Sequence, residues 1–181
     1  LPFGIQQVEP VDVNVYQKIE LGYSSQDPTY NDGESTMITG DYNIINVDFF
    51  VEYKISDPVA YLYSSNDPEE ILRNLIQSQV RNVVGSSTVD AVLTDGKENI
   101  QMQVKDLVTQ ILQEYDIGLS LVDVRIQDSE PPTYEVIEAI DNNDPVLLRE
   151  ELGDALLQIV FHARISEEAG DFNVADVIHD I

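Results

Sequence analysis

Between positions 45 and 55 the chain places Ile45, Val47, Phe49, Val51, Tyr53 and Ile55 on alternate residues, opposed by Asn46, Asp48, Glu52 and Lys54. A period of two with one apolar side is a half-buried strand, and a strand this long demands a sheet whose apolar face something else covers. Phe50 interrupts the polar side, so part of that side is covered too. The main cover is predicted a few residues later. Asp67-Pro68-Glu69-Glu70 is a helix start, with an acceptor cap, proline in the first turn and acids at the positive end of the dipole. Ile71, Leu72, Leu75, Ile76, Val80, Val83 and Val84 then recur at helical spacing until Gly85, which supplies a stop. A second helix is predicted after Thr94-Asp95-Gly96, with Ile100, Val104, Leu107, Val108, Ile111, Leu112 and Tyr115 on one stripe.

Strands flank these helices. Val11, Val13, Val15, Ile19 and Leu21 share the odd-numbered face of a predicted first strand, and residues 22–36, rich in Gly, Ser, Asp and Asn, predict a loop up to the Gly40-Asp41 turn. A last strand runs from Ile117 through Leu119 and Leu121, then changes phase to Val122, Val124 and Ile126, which predicts a bulge. Strands, two amphipathic helices and a strand make an α+β domain, its antiparallel or mixed sheet carrying helices on one side.

The balance of 34 acidic to 9 basic side chains, a formal charge of −25, repels phosphate backbones and anionic headgroups, so nucleic acid is excluded as a partner. The excess is spread along the chain, with 12 acids and 2 bases among residues 133–181. Without cysteine there is no disulfide framework, thiolate nucleophile or cysteine zinc site. No run has the apolar length of a membrane span. The chain opens on Leu1-Pro2-Phe3 without an initiator methionine, and an upstream segment is expected to have been removed.

Leu1-Pro2-Phe3, Gly40-Asp41-Tyr42-Asn43-Ile44-Ile45-Asn46-Val47-Asp48, Tyr53-Lys54-Ile55-Ser56-Asp57-Pro58, Asn66-Asp67-Pro68-Glu69-Glu70, Arg81-Asn82-Val83-Val84-Gly85, Val89-Asp90-Ala91-Val92-Leu93-Thr94 and Ile126-Gln127-Asp128-Ser129-Glu130-Pro131-Pro132 follow one another in order. Together they resemble the SPFH, or band 7, superfamily of stomatins, prohibitins, flotillins and HflK, most nearly its HflK branch. The resemblance covers residues 1–132. It implies an extramembrane α+β domain of a membrane-anchored scaffold, held by an N-terminal anchor expected upstream of Leu1. It further implies large homo-oligomers, an HflC-like partner, regulation of an FtsH-type protease, and residence at the extracytoplasmic face of the bacterial inner membrane. The residues themselves agree with a role free of catalysis and cofactor, since residues 1–132 hold no histidine, cysteine or phosphate-binding glycine loop. Asp67, Glu69 and Glu70 read as a helix cap and not as a carboxylate site.

A seam lies at Pro131-Pro132. Beyond it, the stretch from Thr133 to Pro145, Leu148-Arg149-Glu150-Glu151-Leu152-Gly153-Asp154 and Leu156-Leu157-Gln158-Ile159-Val160-Phe161-His162-Ala163-Arg164-Ile165 resemble the MazG family of all-α nucleoside triphosphate pyrophosphohydrolases. That resemblance implies a magnesium site, with Glu135, Glu151 and Asp154 as its retained acids. Carboxylates at i and i+3 share a helical face and can hold a hard cation. The two glutamates that open the family's first motif would fall on Pro131 and Pro132, which cannot ligate magnesium. Glu138 is a weak substitute, His162 a packed or surface imidazole, and His179 carries no chemistry.

Residues 133–181 also read as a plain helical hairpin. Val136, Ile137 and Ile140 form a short apolar face, Asp141-Asn142-Asn143-Asp144-Pro145 a turn, and Leu148, Leu152, Leu156, Ile159 and Ala163 a stripe widened by Val160 and Phe161. Such a hairpin cannot bury that surface alone and is expected to pair with another copy. The leading reading is therefore a scaffold domain (residues 1–132) joined to an oligomerising hairpin (residues 133–181). The alternative is a magnesium-dependent pyrophosphohydrolase.

Overall fold

The computed structural model describes residues 8–26 and 34–180. Leu1-Pro2-Phe3 and residues 27–33 of the expected 22–36 loop lie outside them. The elements are β1 (Gln17–Leu21), β2 (Thr36–Ile38), β3 (Ile44–Ile55), α1 (Pro58–Tyr63), α2 (Pro68–Gly85), α3 (Val89–Leu93), α4 (Lys97–Tyr115), β4 (Leu119–Glu130), α5 (Pro132–Asp141), α6 (Pro145–Ala169) and α7 (Val174–His179). The α+β class predicted from the periodicities is the one observed.

β3 is the centre of an antiparallel sheet. It pairs with β4 along one side, and with β1 and β2 in succession along the other. Its odd-numbered residues from Ile45 to Ile55 are all buried beneath α2 and α4, which contribute Leu72, Ile76, Val80, Val84, Ile100, Val104 and Val108 to the same core. Burying each such side chain contributes about 1.5–3 kcal/mol, so this layer holds the domain together. On the opposite face Phe50 is half-buried under the Arg125 guanidinium, 5.8 Å from its ring centroid, which explains the interrupted polar side.

The helix signals hold. Asp67 accepts a hydrogen bond from the Glu70 N–H at 2.9 Å and caps α2, while Glu69 accepts one from the Tyr61 hydroxyl at 3.1 Å. α2 does end at Gly85, but the cap residue Ser86 keeps right-handed geometry. Gly40 packs closely there, and a Cβ on it would stand 3.1 Å from the Gly85 carbonyl oxygen, tighter than ordinary contact. The phase change in β4 is a bulge at Val122, since Leu121 pairs with Tyr53 and Asp123 with Glu52, and a second irregularity skips Gln127.

Three expectations are corrected. The first strand begins at Gln17, not at Val11, because Gln17 faces Tyr53 and β3 ends two residues later, leaving residues 11–14 without a partner strand. Thr36 leaves the expected loop to start β2, which the Thr39–Asn43 turn folds back onto β3. The last strand starts at Leu119 because Asp116 and Gly118 adopt left-handed geometry, at φ 46° and 73°, and turn the chain between α4 and β4.

Both sheet edges are partly capped. On β4, the N–H groups of Val124, Ile126 and Ser129 donate to the side chains of Asp123, Gln101 and Asp128. On the other edge, Arg73 donates to the Glu20 carbonyl and Arg81 to the carbonyls of Thr36 and Glu34. Backbone groups occupied in this way cannot template a further strand.

Candidate functional site

The sequence-predicted acids meet where β4 ends and the hairpin begins. β4 runs to Glu130, Pro131 stays extended, and α5 starts at once with Pro132 in its first position, where the missing N–H costs nothing. Asp144 caps α6 by accepting from the N–H groups of Val146 and Leu147, so the Asp141–Pro145 turn sends α6 back along α5. Gly170, at φ 85°, closes α6. α7 follows through a capping box between Asn173 and Asp176. The sequence reading missed α7, although an Asn with an acid three residues on is a recognisable start signal.

Three contacts seat the hairpin on the β2–β3 turn and the start of β3. The Asn46 side-chain amide donates to Glu135 Oε1 at 2.7 Å, Gln158 donates to Asn43 Oδ1 at 3.4 Å, and the Tyr42 and Phe161 rings meet edge-on at 6.3 Å. No sequence signal singles out Asn46, which lies 89 positions from Glu135 and reads only as a polar-face strand residue.

Glu151 is 4% exposed and its Oε2 has no hydrogen-bond partner. Its carboxyl is pushed up to about 8 by burial first, then by the facing Glu135 carboxylate, Asp154 and Glu150. Glu130 is raised by burial and by Asp128, Glu135 and Glu138. The structure thus brings Glu135 and Glu151 together, with Asp154 half-buried one turn along α6. Glu138 is exposed. His162 is half-buried beside Phe161, and His179 is exposed at the end of α7.

Magnesium requires several oxygens converging on one point in near-octahedral geometry. Glu135 commits one oxygen to Asn46, and among the described residues no group of three or more His, Asp or Glu side chains is placed to hold a metal ion. As they stand, the residues fit a protonated carboxyl facing a carboxylate and do not fit the ion. Asn46→Ala removes the donor that steadies Glu135. It is expected to lower the unfolding free energy by about 1–2 kcal/mol in a urea titration, the cost of a half-buried carboxylate oxygen left unpaired. An unchanged midpoint would show that the bond contributes nothing.

An α+β sheet domain with partly capped edges, leading into an acidic helical hairpin, is the class of molecule these features define. The chain belongs to the SPFH domain / Band 7 family, which it matches over residues 1–151. Residues 132–181 also match the MazG nucleotide pyrophosphohydrolase domain, so the two matches overlap across α5 and the first turns of α6. Among curated proteins the chain is similar to Protein HflK of Borreliella burgdorferi, 34% identical over 137 residues, covering 73% of this chain and 44% of that protein. It is likewise similar to Protein HflK of Vibrio cholerae, 33% identical over 150 residues (83% of this chain, 34% of that one). A third relative, 32% identical over 149 residues (82% and 32%), is the Escherichia coli K12 protein named Modulator of FtsH protease HflK. The chain spans a third to under a half of the length of these relatives. Among the described residues no helix is long and apolar enough to cross a membrane.

Proposed function

We propose that this chain is the extramembrane part of a membrane-anchored HflK-type scaffold that assembles into large oligomers and regulates an FtsH-type protease, with no catalysis and no cofactor of its own. An HflC-like partner and the extracytoplasmic face of a bacterial inner membrane belong to the same reading. The observation that carries it is similarity over about four-fifths of the chain to a protein named as an FtsH modulator. In this reading residues 1–132 are the scaffold domain and residues 133–181 an appended hairpin. The test adds the chain to an FtsH-type protease in proteoliposomes and follows degradation of a membrane substrate. A dose-dependent change in rate is expected. An unchanged rate with the protease fully active would sink the reading.

The second reading, a magnesium-dependent nucleoside triphosphate pyrophosphohydrolase using Glu135, Glu151 and Asp154, is favoured by the open Oε2 of Glu151 and by the match of residues 132–181 to the MazG domain. Pyrophosphate release that requires magnesium and is lost in both Glu151→Ala and Asp154→Ala would establish it. No release is expected, because among the described residues no group of three or more His, Asp or Glu side chains is placed to hold a metal ion.

A further inference from the structure

At the end of β3 and β4 opposite the hairpin, the start of β4, the last turn of α4 and the Asp57 cap of α1 surround a hollow of about 260 Å³. Leu112, Leu119 and Leu121 give it apolar walls, while Asp57, Thr109, Gln113, Asp116 and Ser120 bring polar groups to it. No basic side chain lines it. Three features ask for a positively charged donor. α4 ends here with no basic residue in its last turn, so the negative end of its dipole is uncompensated. Asp57 commits Oδ1 alone to the Val59 and Ala60 N–H groups, and Asp116 is exposed on the turn that follows α4. Ser120 Oγ is buried and has no hydrogen-bond partner, a state that folded proteins rarely keep without a bound group to relieve it. We infer that this hollow is a socket for the guanidinium group of an arginine side chain on a partner protein. It lies within residues 56–121, so it stands whether or not the protease or hydrolase reading does.

Shape and charge choose the group. A guanidinium carries its donors in one plane and is weakly hydrated, so its edges suit carboxylates, hydroxyls and an amide carbonyl while its faces suit leucine. A lysine ammonium is compact and strongly hydrated, and would leave the apolar walls unmatched. Anionic ligands are repelled by two carboxylates, a helix C-terminus and a chain of charge −25. The chain's own bases do not fill the place. Lys105, one turn before Thr109 on α4, pairs with Asp123 at 3.8 Å, and Lys54, opposite Ser120 in the β3–β4 register, is exposed. The surroundings favour a protein as the source. Val59, two residues past Asp57, and Tyr115, next to Asp116, are 67% and 57% exposed. Apolar groups at the rim can take the stem of an arginine and the chain that carries it, which a free amine does not offer.

The experiment titrates the full chain with N-acetyl-arginine methylamide and follows the backbone amide chemical shifts. The citrulline analogue, alike in shape but uncharged, and spermidine are run beside it. Saturable shifts centred on Gln113, Asp116, Gly118 and Ser120 are expected, with a dissociation constant on the order of 1 mM that rises with salt. The citrulline analogue should leave those signals in place. Asp116→Asn is the decisive variant, because asparagine accepts the left-handed geometry at φ 46° and so keeps the turn. It is expected to weaken binding about tenfold, the loss of one charge-assisted contact. Glu114→Gln removes an equal charge from the same turn of α4 outside the hollow and should leave binding unchanged. A peptide that sets the arginine between apolar residues should bind more tightly than the amide. Absence of saturable shifts, equal binding of the citrulline analogue, or equal weakening by the two variants overturns the proposal. Spermidine binding as tightly as the arginine probe overturns the guanidinium assignment, and a peptide no tighter than the amide overturns the protein as its source.

Discussion

Glu151→Gln is expected to make the protein more stable at pH 8 by roughly 1–3 kcal/mol, the usual cost of a buried polar group that is poorly satisfied. The sign follows from linkage. In the unfolded chain the carboxyl ionises near its ordinary value of 4.5, whereas in the folded chain it holds its proton up to about 8. Between those values the folded state binds more protons than the unfolded one, so stability falls as pH rises through that window and levels off above it. Glutamine keeps the shape, cannot ionise, and can donate to the Glu135 carboxylate that glutamate opposes. The parent and the variant should therefore coincide below about pH 4.5 and diverge progressively up to about pH 8. Chemical denaturation at closely spaced pH values gives the difference curve, in which every other titrating group cancels. A flat difference, or a variant weaker throughout, would show that Glu151 is ionised and compensated in the folded protein.

Gly118→Ala is expected to have the larger destabilising effect, roughly 2–5 kcal/mol. Gly118 sits at φ 73°, where a Cβ costs about 1–2 kcal/mol in backbone strain alone. An added Cβ would also stand well inside 3.0 Å of both the Asp57 carbonyl oxygen and the Tyr61 amide nitrogen. Both are backbone atoms, held by the bonds from Ser56 and Asp57 to the Gly118 carbonyl and by the cap of α1, so relief requires moving α1 off the sheet end. Overpacking of this kind adds about 1–3 kcal/mol. Thermal unfolding should shift down by on the order of 10 °C for a chain of this size. Gly153→Ala is the matched control, because a Cβ there meets nothing within 4 Å and the helix gains about 1 kcal/mol in propensity. Equal melting temperatures for the parent and Gly118→Ala would mean that the turn between α4 and β4 is pliable.

Much of the fold was legible because its signals are local. Strand β3 declares itself by alternation, α2 by its cap and stripe, and the β4 bulge by a change of phase, each written within about twenty residues. Where the reading failed, a partner set the outcome. Val13 and Val15 alternate like strand residues yet are exposed, because β3 stops before it could pair with them. Thr36 reads as loop yet pairs with Asn46, and Ile117 reads as strand although a left-handed turn follows it.

The candidate site divides in the same way. The resemblance to the MazG family picked out Glu135, Glu151 and Asp154, and the acidic composition set the expectation of no nucleic-acid partner. The stripe on α6 was equally plain as a period of three and four. Which side of that helix faces inward was not, because periodicity gives two faces and no direction. Only the tertiary structure decided that the acids turn in and the leucines turn out. Asn43 on a distant turn bonds Gln158 on the polar side, Tyr42 beside it meets Phe161, and Asn46 in β3 holds Glu135 of the neighbouring α5. Contacts between residues about ninety or more positions apart leave no local trace in a sequence.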